Sequence, residues 1–298
     1  MKYKVKFFMK KNIIILMIGY LIIFNFLYCK ENKKYNRIIS LSMASDEIIF
    51  SLVDSDRILA LSSNSNGNEM TSILGKQINN YLKIEDNLEK LIDLEPDLVI
   101  AAEWIKKESL SQIEDAGIEV YVYKTPSTFE GNKKLIKDIS ILLEEEKKGL
   151  DIIKNMDKRL KKLQDKIKEN KKIYPRVLEY SHYEVTNGEG SILNDMFEKI
   201  YINNLAKELK LGKSEKLSKE KVIEINPDII LIPVWKDGIN TDNMEFINLL
   251  KSDESFQEIS AIKNNKVYTI PGKYIYVYSQ YIIDGIEEIA KKVYELNN

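Results

Sequence analysis

From residue 37 onward the chain alternates two patterns. Short apolar runs with no polar interruption stand at 37–41 (RIISL), 58–61, 98–101, 118–123, 176–180, 229–234 and 267–270. Runs of this length without alternation are expected of strands buried on both faces of a parallel sheet. Between them, apolar residues return every three or four positions, as in Ile48, Ile49, Leu52 and Val53, in the segment 105–116 stopped by Gly117, in the segment opening at Ile192, and in the stretch ending near Leu296. That spacing predicts amphipathic helices. Strand and helix in alternation predict α/β lobes.

One stretch is longer than a single lobe needs. Ile136, Ile139, Leu143, Leu150, Ile153, Met156, Leu160, Leu163 and Ile167 keep one phase. The spacing predicts a single helix of about 40 residues, about 60 Å long. Ser127 with Glu130 three residues on reads as a capping box at its start. Such a helix could form a coiled-coil seam, but it lies between two α/β halves, and a spine joining two lobes explains it better. The expected organisation is a leader over 1–29, an N-terminal lobe over 30–126, a connecting helix over 127–172 and a C-terminal lobe over 173–298.

The two halves carry an internal echo. Residues 88–104, LEKLIDLEPDLVIAAEW, return at 219–235 as KEKVIEINPDIILIPVW, with Glu89 and Glu220, Pro96 and Pro227, Asp97 and Asp228, and Trp104 and Trp235 each 131 positions apart. Asn87 and Ser218 stand where helix caps belong, and each Pro stops its helix. Trp104 and Trp235 fall just beyond a strand's carboxyl end, which is where open α/β sheets hold ligands. Two facing lobes would then place both indoles at one cleft. The plainer alternative is that each indole covers its own lobe's core.

Composition narrows the function. The chain has 298 residues, 44% hydrophobic and 31% charged, with a net charge of −1; it lacks the broad basic surface that binding nucleic acid requires. Its single cysteine, Cys29, excludes an internal disulfide or a cysteine-rich metal site. Lys2, Lys4, Lys6, Lys10 and Lys11 precede an apolar run over 13–27, and Cys29 follows directly. This layout reads as a secretory signal, similar to a bacterial lipoprotein signal in which Cys29 becomes the lipidated first residue, with an uncleaved anchor as the alternative. Both place the rest of the chain outside the cytoplasmic membrane. No dinucleotide or phosphate-loop motif follows a predicted strand, and Gly188-Glu189-Gly190-Ser191 reads as a turn, so no catalytic residue is expected.

The segments RIISLSMASDEIIFSL, NLEKLIDLEPDLVI, LSKEKVIEINPDIILI and SQYIIDGIEEIA, in this order around a long central helix, resemble the substrate-binding proteins of bacterial ABC importers for ferric siderophores, haem and cobalamin. The resemblance covers nearly all of the chain after Cys29. It implies an α/β fold of two Rossmann-like lobes with central, mostly parallel sheets, joined by one long α-helix, with ligand held between the lobes. It also implies delivery to a membrane permease served by an ATPase. In that family an acidic residue on each lobe docks on arginines of the permease, and the matching positions are Glu89 and Glu220. Each would also suit the positive end of its helix.

The expected ligand contacts are Met43, Trp104, His182, Tyr183, Trp235 and Tyr274, with Tyr276 and Tyr278 on the same aromatic stretch. Met43 stands where family members often carry Pro. His182, the only histidine, is either an axial haem ligand or a solvated residue. Of four arginines only Arg176 lies near a C-lobe strand, so an arginine cage for a highly charged catecholate is not expected. One histidine is too few for bare zinc or manganese. The resulting expectation is a monomeric, lipid-anchored, extracytoplasmic binding protein for an iron chelate, needing no cofactor and no structural metal. Haem or cobalamin in the same role is the near alternative, and a surface adhesin or sensor on the same fold is the distant one.

Overall fold

The computed structural model describes residues 35–65, 69–84, 87–170, 174–235 and 241–296. The leader and Cys29 lie outside the described residues. The N-terminal lobe runs β1 (Ile38–Ser40), α1 (Met43–Leu52), β2 (Ile58–Ser62), β3 (Lys83–Ile84), α2 (Leu88–Asp93), β4 (Leu98–Ala102), α3 (Lys107–Asp115) and β5 (Glu119–Tyr123). All its strand pairs are parallel, in the order β3-β2-β1-β4-β5. Two helices follow, α4 (Phe129–Leu142) and α5 (Glu146–Asn170).

The C-terminal lobe comprises β6 (Arg176–Glu179), β7 (Val185–Thr186), α6 (Ile192–Lys199), β8 (Asn203–Asn204), α7 (Leu205–Glu208), β9 (Glu215–Lys216), α8 (Lys219–Ile225), β10 (Ile229–Val234), α9 (Thr241–Ser252), α10 (Ser260–Lys263), β11 (Val267–Pro271) and α11 (Ile282–Tyr294). Its main sheet is also parallel, in the order β11-β10-β6-β8, and β7 and β9 form a separate antiparallel ribbon. Taken in chain order, β6, β8, β10 and β11 occupy the places of β1, β2, β4 and β5. Every residue of β4 and β10 is buried, as uninterrupted apolar runs require. Pro233 is tolerated in β10 because pairing with β6 stops at Leu231.

The echo in sequence is an echo in geometry. Glu95 and Asn226, each preceding its Pro, both turn left-handed at φ 45°. Asp97 accepts the N–H of Arg37 at 3.0 Å, and Asp228 accepts that of Arg176 at 3.1 Å. The same two arginines cap the preceding helices. Arg37 donates to the carbonyls of Glu95 and Leu94, and Arg176 to those of Asn226 and Ile225. Each lobe thus ties the start of its first strand to the end of its repeated helix, satisfying carbonyls that a helix terminus leaves open.

The 40-residue helix is not continuous. α4 ends in a Schellman turn in which Glu145 N–H reaches Ser140 O at 2.7 Å and Glu144 N–H reaches Ile141 O at 3.2 Å, with Glu144 at φ 59°. Arg57 fixes the turn by donating to Leu143 O and to the Glu145 carboxylate. α4 then folds back along α5: Lys133 pairs with Asp157 at 2.7 Å, and Gly149 sits so close to Ser140 that a Cβ there would meet its Oγ at 2.3 Å. The spine is α5 alone, 25 residues, or about 37 Å. The helix cap also moves by one residue: Thr128, not Ser127, accepts the Gly131 N–H at 2.9 Å.

Each sheet covers an outer cluster of its own, around Ile39, Val99 and Ile113 in one lobe and Leu178, Ile230 and Ile232 in the other. The inner faces share a single core. Ile38, Ile100, Phe129, Ile136, Met156, Leu193, Phe197, Leu231 and Ile286 belong to one apolar cluster that spans both lobes and the spine. Polar ties cross the same boundary. Ser279 donates to Glu47 Oε2 at 2.5 Å, Gln280 donates to Glu47 O at 2.7 Å, and the Asp195 carboxylate accepts the Phe129 N–H at 2.7 Å.

Candidate ligand-binding site

Strand order reverses between β1 and β4 in one sheet and between β6 and β10 in the other, which opens a crevice at the carboxyl ends of the strands. A cleft of about 440 Å³ lies there, lined by residues that follow β1, β2, β4, β5, β10 and β11. The N-terminal lobe supplies Ser42, Met43 and Ala44, then Ser63, Asn64 and Thr71, and then Trp104, Tyr123 and Thr125. The C-terminal lobe supplies Trp235, Gly272, Tyr276 and Tyr278.

Trp235 is built into its wall. Its ring stacks on Tyr276 with centroids 5.0 Å apart and planes 24° from parallel. The other side rests on Gly272, where a Cβ would come within 2.2 Å of the indole; only glycine allows that approach. Tyr276 is held from behind. Its hydroxyl accepts Asn187 Nδ2 at 2.9 Å and donates to Glu179 Oε1 at 3.4 Å, while the same Asn187 nitrogen reaches Glu179 Oε2 at 3.0 Å. Burial pushes the Glu179 carboxyl up to about 7, against the hydrogen bonds of Asn187 and Tyr276. Trp104, by contrast, is 55% exposed against 37% for Trp235.

The opposite wall is a hydroxyl network. Ser42 caps α1 by accepting the Ser45 N–H, and its Oγ lies 2.5 Å from the Tyr123 hydroxyl and 2.7 Å from Ser45 Oγ. Burial first, and then Asp46 and Glu103, push the Tyr123 phenol up to about 12. Asp46 is fully buried beneath this wall, where both carboxylate oxygens accept the Ser62 N–H at 3.2 Å; desolvation raises its carboxyl to about 7. At the rim, Thr125 donates its N–H and hydroxyl to Glu103 Oε2 at 2.7 and 2.9 Å.

The structure brings Met43, Trp104 and Trp235 to this cleft and leaves three expected contacts outside its lining. His182 and Tyr183 stand on the turn after β6. Glu184 at φ 56° and the Ser181 N–H to Val185 O bond reverse the chain there, and the two rings stack on each other at 3.7 Å, with Tyr183 68% exposed. Tyr274 ends the 3-10 turn Gly272–Tyr274 and faces α11, where burial and then Glu288 and Asp284 raise its phenol. Tyr276 and Tyr278 take the place expected of it. Arg176 is committed to its helix carbonyls at the other end of the sheet. Sequence reasoning missed Tyr123, Gly272 and the hydroxyl set at Ser63, Thr71 and Thr125; their only signal was a position just past a predicted strand.

Glu89 and Glu220 occupy equivalent exposed positions in the first turns of α2 and α8, whose caps Asn87 and Ser218 accept the N–H groups of Lys90 and Lys221 at 3.0 and 3.4 Å. The Glu220 backbone N–H and the Ser218 hydroxyl hold the Glu220 carboxyl below its ordinary value. Among the described residues no group of three or more His, Cys, Asp or Glu stands close enough to hold a metal ion. Among them too, no helix is long and apolar enough to cross a membrane.

Comparison with known proteins places this geometry. A family model described as periplasmic binding protein matches residues 38–274. The chain is 28% identical over 276 residues to an uncharacterised ABC transporter substrate-binding lipoprotein of Bacillus subtilis (strain 168), covering 89% of this chain and 81% of that one. It is 27% identical over 194 residues to the iron-uptake system-binding protein of the same organism, covering 62% of this chain and 58% of that one. The crystal structure of a possible iron-binding (periplasmic solute-binding) protein from Staphylococcus epidermidis ATCC 12228 superposes with a TM-score of 0.73 at 24% identity, covering 88% of this chain and 100% of that one.

Proposed function

The chain belongs to the periplasmic binding protein family, and on that premise we propose that it captures an iron chelate between its lobes and delivers it to the permease of an ABC importer. It would work outside the cytoplasmic membrane as a monomer held by a lipid on Cys29, in partnership with the permease and its ATPase. The observation that carries this reading is the cleft: strand ends of both sheets converge there, and it is walled by two indoles and three phenols. Ring faces and hydroxyls suit the outer surface of a chelate. A naked transition metal calls for several imidazoles or carboxylates. The names of the two Bacillus subtilis relatives, one a substrate-binding lipoprotein and one an iron-uptake binding protein, support the role and the anchor. A corrinoid in the same cleft is the second reading, which the same flat aromatic wall favours.

Titrating the purified protein with ferric hydroxamate, ferric catecholate, haem and cobalamin while following tryptophan fluorescence tests the proposal. Saturable quenching by a ferric chelate is expected. Silence toward all four overturns the reading. The dock is tested separately. The double substitution Glu89→Arg and Glu220→Arg is expected to cut permease-dependent uptake by about a hundredfold, on the scale of losing two charge-pair contacts, while binding in solution stays unchanged. Undiminished uptake removes the two glutamates from the dock.

A further inference from the structure

The surroundings of the cleft carry one sign of charge. Its walls are the π faces of Trp104, Trp235 and Tyr276 together with hydroxyl and amide groups, and ring faces are electronegative. Carboxylates back them on both sides. Glu179 receives the Tyr276 hydroxyl, Glu103 holds Thr125 by two hydrogen bonds, and Asp46 lies under the Ser62 N–H, one residue before lining residue Ser63.

The arginines are engaged elsewhere. Arg37 and Arg176 cap helices at the amino ends of the sheets, Arg57 holds the α4–α5 turn, and Arg159 bonds Glu287 and Asp284. Lys273, the lysine beside Gly272, places its ammonium over the Tyr274 ring at 5.2 Å. The segments 66–68 and 236–240, next in sequence to lining residues and outside the described ones, hold one lysine and one aspartate, a net charge of zero.

Resting on the chelate-binding function proposed above, we infer that this cleft selects metal chelates of zero or positive net charge, of the ferric trihydroxamate class, and rejects the trianionic ferric triscatecholate class. A trianion entering the cleft sheds its water to face π clouds and carboxylates, and desolvated charge is costly unless opposite charge replaces the water. A neutral or cationic chelate keeps the stacking surface, and a cation gains the ring faces in addition. Discrimination comes from the repulsive element as much as from the attractive one.

The test uses three probes on the purified protein, read by tryptophan quenching: a singly cationic linear ferric trihydroxamate, a neutral cyclic ferric trihydroxamate and a trianionic ferric triscatecholate. The first two are expected to bind at least about a hundredfold tighter than the third, with added salt weakening the cationic probe. Asn64, an exposed lining residue on the loop after β2, offers a charge reversal that spares the core. Asn64→Lys is expected to move the trianion-to-cation affinity ratio by about tenfold toward the trianion, as one added charge some ångströms from the ligand would do. Equal or tighter binding of the triscatecholate, or a ratio that Asn64→Lys leaves unmoved, overturns the charge inference and leaves the chelate reading standing. No response to any of the three overturns the chelate reading and the inference with it.

Discussion

Trp104 and Trp235 close equivalent strands of the two lobes, yet they meet the cleft differently. In the C-terminal lobe the indole lies between Gly272 and Tyr276, and Tyr276 is anchored through Asn187 to the buried Glu179. In the N-terminal lobe the indole stands more than half exposed, beside a rim held by Glu103 and Thr125. The same local plan therefore yields a fixed platform on one side and an adaptable face on the other. The difference lies in what packs behind the ring, since strand, cap and Pro-Asp corner are common to both. A preorganised contact loses little freedom on binding, so the platform should carry more of the affinity.

The largest test of that asymmetry is to remove each indole. Trp235→Ala is expected to weaken chelate binding by about a hundredfold and Trp104→Ala by about tenfold, the difference between a packed hot spot and a rim contact. Equal losses in titration calorimetry would erase the distinction. A smaller effect should show where the lobes agree. Arg37→Ala and Arg176→Ala are each expected to lower the unfolding free energy by about 1 kcal/mol, with chelate affinity untouched, as read from urea midpoints. A loss confined to one lobe would show that only one of the two clamps matters to stability.

The smallest effect separates the lobes again, through their buried carboxyls. Asp46 and Glu47 in one lobe and Glu179 in the other are all raised to about 7 by desolvation, above the ordinary carboxyl range. A carboxyl raised in the folded state binds its proton more tightly there than in the unfolded chain. Its stabilising contribution is therefore complete below about pH 4 and lost as pH rises through about 7. The thermal midpoint should fall between pH 5 and 8. Asp46→Asn and Glu179→Gln should each flatten part of that fall, and unchanged slopes in both would remove these groups from the linkage.

Much of this architecture was legible in the residues. Uninterrupted apolar runs marked the long central strands, Asn87 and Ser218 marked the repeated helices, and the 131-position interval led to two indoles at one cleft. The helix reversal was hidden because Leu143 and Leu150 keep the apolar phase across the break, and the left-handed residue there is Glu144 where a glycine would have signalled it. The two-residue strands β3, β7, β8 and β9 are too short to carry a period. Tyr274 and Tyr276 differ only in which side of a 3-10 turn they leave, and His182 is turned away by the left-handed Glu184; both are decided by tertiary packing. The arginine clamps left a trace, an Arg opening each lobe, but Arg37 and Arg176 are 139 positions apart and so fall outside the repeat's interval.

The apolar cluster that runs unbroken from one inner sheet face through α5 to the other has a mechanical consequence. Swinging the lobes apart like the shells of a clam would expose Phe129, Ile136, Met156, Leu193 and Phe197 to water and strand the Glu47 carboxylate that Ser279 and Gln280 now cover. Bodies fused in this way can rock by small amounts but cannot gape. The span between Glu89 and Glu220 is then nearly the same with the cleft empty or filled. A permease gripping those two points would be handling a caliper locked close to one setting, and would have to sense cargo through slight changes of angle at its jaws.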